Sequence, residues 1–174
     1  MVEELPEERK NSIVVPIYKK GDKQKVENHR EINLLNACYK FYSKVLNVKL
    51  QAQAEQFLLE YHNGFQKGRS CIEPLCSMKL LIEKRREFNL EIHLAFLDFV
   101  KAFDRVKREK FVEMLQSKNI PTLLLRSVRA VYSGNKIKAK INDQVSEEHS
   151  ITHGVRQGCP VSPTLLNIYM HEFN

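Results

Sequence analysis

The stretch FLDFVKAFD, residues 96–104, ends an apolar run on a carboxylate. Burying an unpaired carboxylate is costly, so a chain that places Asp98 at the end of a strand must pair it, cap a helix with it or give it a cation. EIHLAFLD, 91–98, reads as that strand, and VKREKFVEMLQSK after it as a helix whose start Asp104 is placed to cap. An Asp leaving a strand where a helix begins is held rigidly at the rim of a sheet, which suits a divalent-cation ligand for phosphoryl chemistry. A lone Leu-Asp-Phe more often marks a cap or a lysine partner, so the other segments must decide.

Those segments alternate between short strands and longer helices. SIVVPIY, 12–18, is β-branched and aromatic, and Pro16 argues against a doubly paired position. KKGDK follows as a turn. Leu34, Leu35, Cys38, Phe41, Tyr42, Val45, Leu46 and Leu50 recur at spacings of three and four, which predicts a long amphipathic helix reaching about residue 58, with Phe41 and Tyr42 in the core. HNGFQKGRS is a loop, and Ser70 and Pro74 open a second helix that carries Leu75, Met78 and Ile82 inward. TLLLRSVRAVY is a further helix after Pro121, ended by Gly134. KIKAKIN alternates strictly, with Ile137, Ala139 and Ile141 on one face and Lys136, Lys138 and Lys140 on the other. The lysine face fits either a solvated strand or a nucleic-acid track. The acidic residues 1–10 read as loosely held, and the helix TLLNIYMHEF stops so early that the sequence reads as ending inside a fold.

GVRQGCPVSP, 154–163, is the second segment with chemistry. Its glycines let backbone approach a ligand closely, while Arg156 supplies charge and Gln157 both a donor and an acceptor. An ordinary turn before a helix explains Gly and Pro but not the Arg-Gln between them. Net charge is +7, from 28 Lys and Arg against 21 Asp and Glu, and a sequence pI of 9.2 points weakly to a polyanionic partner. Four cysteines form no C-x-x-C pair and suggest neither a zinc site nor a disulfide framework. No apolar run nears the roughly 18 residues of a membrane span, and MVEELPEERK lacks the marks of a signal peptide, so an intracellular chain of cytoplasm or nucleus is expected.

In order and spacing, IVVPIYKKGDK, NHREINLL, NGFQKGRS, LAFLDFVKAFDRV and GVRQGCPVSPTLLNIYM resemble the successive blocks of the reverse transcriptase domain of non-LTR (LINE-type) retrotransposons. The resemblance runs from about Leu5 to Asn174. It implies an α+β fold, the fingers and partial palm of a right-hand polymerase, with an antiparallel sheet backed by helices. Fingers would span about 1–92 and 112–153, and palm segments about 93–111 and 154–174. It further implies that Asp98 binds both Mg2+ ions of a two-metal site, assisted by the backbone carbonyl of Phe99. Phe103 would be the steric gate that collides with a 2′-hydroxyl. Lys19 or Lys20 and Arg30 would grip the incoming dNTP, and Gln157 and Gly158 would line its pocket. Arg156, Lys136, Lys138 and Lys140 are weaker candidates for contact with the RNA template and DNA primer.

The sequence also departs from that pattern. It contains no Tyr-x-Asp-Asp or Phe-x-Asp-Asp, the second pair of catalytic carboxylates, so the fragment as given is expected not to catalyse synthesis. The block Asn28-His29-Arg30-Glu31-Ile32-Asn33 keeps the Arg but carries Glu31 and Asn33 where the family has Pro and Ser, and Glu31 stands ready to blunt the charge of Arg30. A non-catalytic nucleic-acid-binding protein derived from a truncated reverse transcriptase is the alternative.

Overall fold

The computed structural model describes residues 6, 10–58 and 61–171; the loosely held start expected for residues 1–10 lies almost wholly outside them. Among the described residues five strands form one sheet: β1 (Asn11–Tyr18), β2 (His29–Leu34), β3 (Lys136–Ile141), β4 (Gln144–Val145) and β5 (His149–Ser150). β1 runs antiparallel to β2, from Ile13 opposite Leu34 to Tyr18 opposite His29, and parallel to β3 from Asn11 opposite Lys136 to Val14 opposite Ala139. The sheet is therefore mixed rather than antiparallel. β1 is central only through Val14, so Pro16, which has no N–H to give, lies beside β2 alone. Because β3 leaves β1 after Ala139, Ile141 has nothing to cover it and is 60% exposed, against its expected inward place.

Among the described residues six α-helices accompany the sheet: α1 (Ala37–Ala54), α2 (Ile72–Glu87), the single turn α3 (Ala102–Arg105), α4 (Arg108–Ser117), α5 (Thr122–Tyr132) and α6 (Ser162–Met170). The α+β class holds. The core lies where α1, α4, α5 and α6 pack together around Leu46, Leu50, Phe111, Leu115, Val128 and Leu165. Asn36 opens α1, its side chain accepting from the Cys38 amide at 2.8 Å. The inward stripe of α1 is Tyr39, Ser43, Leu46, Leu50 and Ala54, turned from the expected one: Phe41 is 73% exposed, while Tyr42 packs at the core margin. Two polar residues conceal that stripe in the sequence. The Ser43 hydroxyl is satisfied within the helix by donating to the Tyr39 carbonyl, and the Tyr39 hydroxyl lies 3.6 Å from Cys159 Sγ.

Two other expectations fail for one reason. α2 buries no residue, with Leu75 exposed and Met78 and Ile82 only half-covered, because no described element packs along it. EIHLAFLD forms no strand: residues 90–99 join no ladder, and Phe96 and Leu97 are 78% and 87% exposed. A strand exists by its neighbour, and none of the described strands lies beside this stretch. Among the described residues no helix is long and apolar enough to cross a membrane.

Candidate active site

The end of FLDFVKAFD and the start of GVRQGCPVSP, some 50 residues apart, are knitted together by backbone. After Lys101, held at φ 54°, the chain makes the turn α3 and then runs extended through the buried Val106. The Val155 amide donates to the Phe103 carbonyl and the Gly154 amide to the Val106 carbonyl, both at 2.8 Å, and Lys107 bridges His153. Arg108 staples the same junction: Nε donates to the Gly154 carbonyl at 2.9 Å, and Nη1 to those of Ile151 and Tyr132 at 2.7 and 3.0 Å. Its guanidinium carbon lies 5.2 Å from the centre of the Tyr132 ring, and burial pulls its pKa down from the usual arginine value.

Gly154 has φ 77°, and a Cβ there would fall 2.9 Å from the Asp104 carbonyl oxygen. The residue must therefore be glycine for two reasons, a left-handed backbone and a close backbone approach. Gly154→Ala is expected to destabilise the chain by about 1–3 kcal/mol, read as a lower urea midpoint; an unchanged midpoint would show that the two segments part freely.

Gln157 is held at both ends. Its carbonyl accepts from the Asn33 amide of β2 at 3.2 Å, and its side-chain Nε2 donates to Asp104 Oδ1 at 3.0 Å. Gly158, at φ 101°, passes so close to β2 that a Cβ would lie 3.2 Å from the Asn33 carbonyl oxygen. Asn33 Oδ1 in turn accepts from Ser12 of β1 at 3.2 Å. Asp104 is thus not the cap of α4, whose N-cap position is Lys107. Phe103 stands half-buried next to it, edge-on to Phe65 with ring centres 6.2 Å apart.

Arg156 is placed differently from its reading as a nucleic-acid contact. It is 2% exposed, its guanidinium carbon 5.0 Å from the centre of the Tyr39 ring, with Nη2 donating to the Lys10 carbonyl. Inside the core it ties the loop to α1 and to the residue before β1. Among the described residues its Nε and Nη1 have no hydrogen-bond partner. Burial pushes the Tyr39 and Tyr132 hydroxyls well up, so both stay neutral donors beside the two arginines.

The outer candidates are less tightly gathered. Lys19 and Lys20 sit exposed at the β1–β2 hairpin, closed by the Lys19 amide donating to the Asn28 carbonyl at 2.9 Å. Arg30 is exposed on β2 and forms no ion pair with Glu31; neighbours along a strand point to opposite faces. Lys136 and Lys138 both reach Glu148, at 2.8 and 3.8 Å, and the Lys136 hydrogen bond draws the Glu148 pKa down. Lys138 and Lys140 are both exposed on the β3 lysine face, and Lys136 is half-buried. Asp98 and the 53% exposed Phe99 lie on the unpaired stretch before α3. Among the described residues no group of three or more His, Cys, Asp or Glu side chains is arranged to hold a metal, so Asp98 by itself does not make a magnesium site.

Asn33, Arg108 and Tyr39 are the residues that sequence reasoning did not single out. Asn33 alone carried a signal, as a departure from Ser in a recognised block.

A mixed sheet and helical core that hold an Asp-bearing turn against a glycine loop define an α+β protein built around that junction. The chain belongs to the reverse transcriptase (RNA-dependent DNA polymerase) family, whose sequence profile matches residues 17–174. It is similar to a 149 kDa uncharacterized protein of transposon TX1 from Xenopus laevis, 26% identical over 170 residues, or 98% of this chain and 13% of that protein. A probable RNA-directed DNA polymerase from the transposon X-element of Drosophila melanogaster is 24% identical over 171 residues, 97% of this chain and 19% of that protein. A Pol polyprotein from the type-1 retrotransposable element R2 of Popillia japonica is 27% identical over 161 residues, 90% of this chain and 22% of that protein. The chain therefore spans between an eighth and a quarter of the length of these three relatives.

Proposed function

We propose that the chain is the nucleotide-handling part of an RNA-directed DNA polymerase of a non-LTR retrotransposon, which copies an RNA template from a DNA primer with dNTPs. The observation that carries this reading is the junction of Phe103 and Asp104 with Val155 and Gln157. It brings the aromatic assigned as sugar gate and the glutamine assigned to the nucleotide pocket into one rigid unit, at the end of the motif that carries Asp98. Phosphoryl transfer asks a protein mainly for positioning and for charge, and a unit fixed by backbone bonds supplies the first.

Charge comes from two sources. Asp98 would contribute one carboxylate to the Mg2+ ions that neutralise the phosphates; the described residues offer no complete set of ligands, so the other donors must come from elsewhere in the enzyme. Lys19, Lys20 and Arg30 have no described side-chain partner and lie on one hairpin, where they would meet the triphosphate or the nucleic-acid backbone.

The test is binding to an RNA–DNA hybrid at several salt concentrations. Each phosphate neutralised lowers log K by about 0.9 per tenfold rise in salt on a B-DNA-like duplex. Replacing Lys19, Lys20 and Arg30 together by Ala should therefore flatten the slope by about 3. A salt-independent affinity, or no binding at low salt, removes the reading.

A further inference from the structure

Gln157 is the residue of the glycine loop whose chemistry is least explained by turn geometry, and its side chain is not free to rotate. A carboxylate only accepts hydrogen bonds. The 3.0 Å contact with Asp104 Oδ1 therefore fixes which end of the Gln157 amide faces inward: the Nε2 end must point to Asp104 and the carbonyl end away from it. The backbone of Gln157 is fixed separately, by the Asn33 amide on its carbonyl and by the bonds of Gly154 and Val155 to Val106 and Phe103. Half-buried Gln157 has no described donor on its Oε1, so that oxygen remains open.

We infer that Asp104 is a positioning residue: its carboxylate orients the Gln157 amide so that Oε1 is presented as a hydrogen-bond acceptor to the nucleotide. The inference rests on the polymerase reading above for the identity of the ligand, but the pairing itself does not. Asp104 immediately follows Phe103, so the same one-turn helix places the proposed gate and orients the proposed pocket residue. The ligand group that meets Oε1 must be a donor, a hydroxyl or an amino group, and not a phosphate oxygen.

The two roles open to Asp104, holding the loop or orienting one amide, leave different spectroscopic marks. In the free chain labelled with 15N, the Gln157 Nε2 protons should be displaced from the positions of a solvated glutamine amide, and the one bonded to Asp104 should exchange slowly with water. Asp104→Leu should return both to the positions and fast solvent exchange of a solvated glutamine amide while the backbone amide signals of Gly154 and Val155 stay in place. Asp104→Asn, whose side-chain carbonyl can accept the same N–H, should restore the displaced signals. If Asp104→Leu leaves the Nε2 signals unchanged, the pairing is absent and the inference falls. If it instead removes the Gly154 and Val155 signals, or the dispersed spectrum as a whole, Asp104 holds the fold and not the amide, and the inference falls equally. The measurement uses neither template nor nucleotide, so a failure of hybrid binding would overturn the polymerase reading while leaving this result standing.

Discussion

Asp98→Asn is expected to abolish primer extension on an RNA template in a polymerase that carries this segment, with a loss of about three orders of magnitude or more. The enzyme for the measurement is an active relative in which residues 10–171 replace the matching stretch, so that the remaining carboxylates and the rest of the polymerase are supplied. Asn keeps the size and shape of Asp but not its charge, and a neutral amide cannot balance a divalent cation. Packing gives no competing account of such a loss: Asp98 is exposed, and no described residue bonds to it. The substitution should accordingly leave the urea midpoint and hybrid affinity unchanged while extension disappears. Extension at the parental rate in the Asn variant would remove Asp98 from the chemistry and return it to the solvated surface.

How much of this was legible in the sequence depends on how local each feature is. The strand SIVVPIY, the helix TLLLRSVRAVY and the alternation of KIKAKIN all form where periodicity places them, because a period of two or of three to four residues is written within one segment. The face a helix buries is a different matter. In α1 the core selected Tyr39 and Ser43, whose polar atoms are satisfied only by Cys159 and the helix itself, so a stripe sought through apolar residues alone came out turned. EIHLAFLD shows the reverse limit: its composition suits a strand, but pairing is a property of two segments, and none of the described strands lies beside it. The site shows the same division. Arg156 and Gln157 stand side by side and could not be told apart by residue type, yet one is sealed against Tyr39 and the other faces Asp104, 53 residues away. Residue chemistry marked the Arg-Gln pair, but only the family pattern set Gln157 in the nucleotide pocket, and nothing in it revealed which acid would hold the amide.

Phe103→Val in the same grafted polymerase should spare DNA synthesis and change which sugar is accepted. The Phe103 backbone carbonyl, not its ring, makes the bond to Val155, so the junction with the glycine loop survives the substitution. What is lost is the ring, which stands edge-on to Phe65 and packs at the margin of the core. Trimming a half-buried aromatic costs some stability, but stability enters equally into the use of every nucleotide. The ratio of kcat/KM for a ribonucleotide to that for its deoxy counterpart is therefore insensitive to how much enzyme is folded. If the ring lies beneath the sugar, opening that space should raise the ratio by about 10-fold or more, a clash worth over about 1.4 kcal/mol. A core residue with no place in the pocket would lower both rates together and leave the ratio where it was. Such an unchanged ratio in an active variant would take the gate away from Phe103, and with it the reason for the aromatic to stand next to the aspartate that pairs with Gln157.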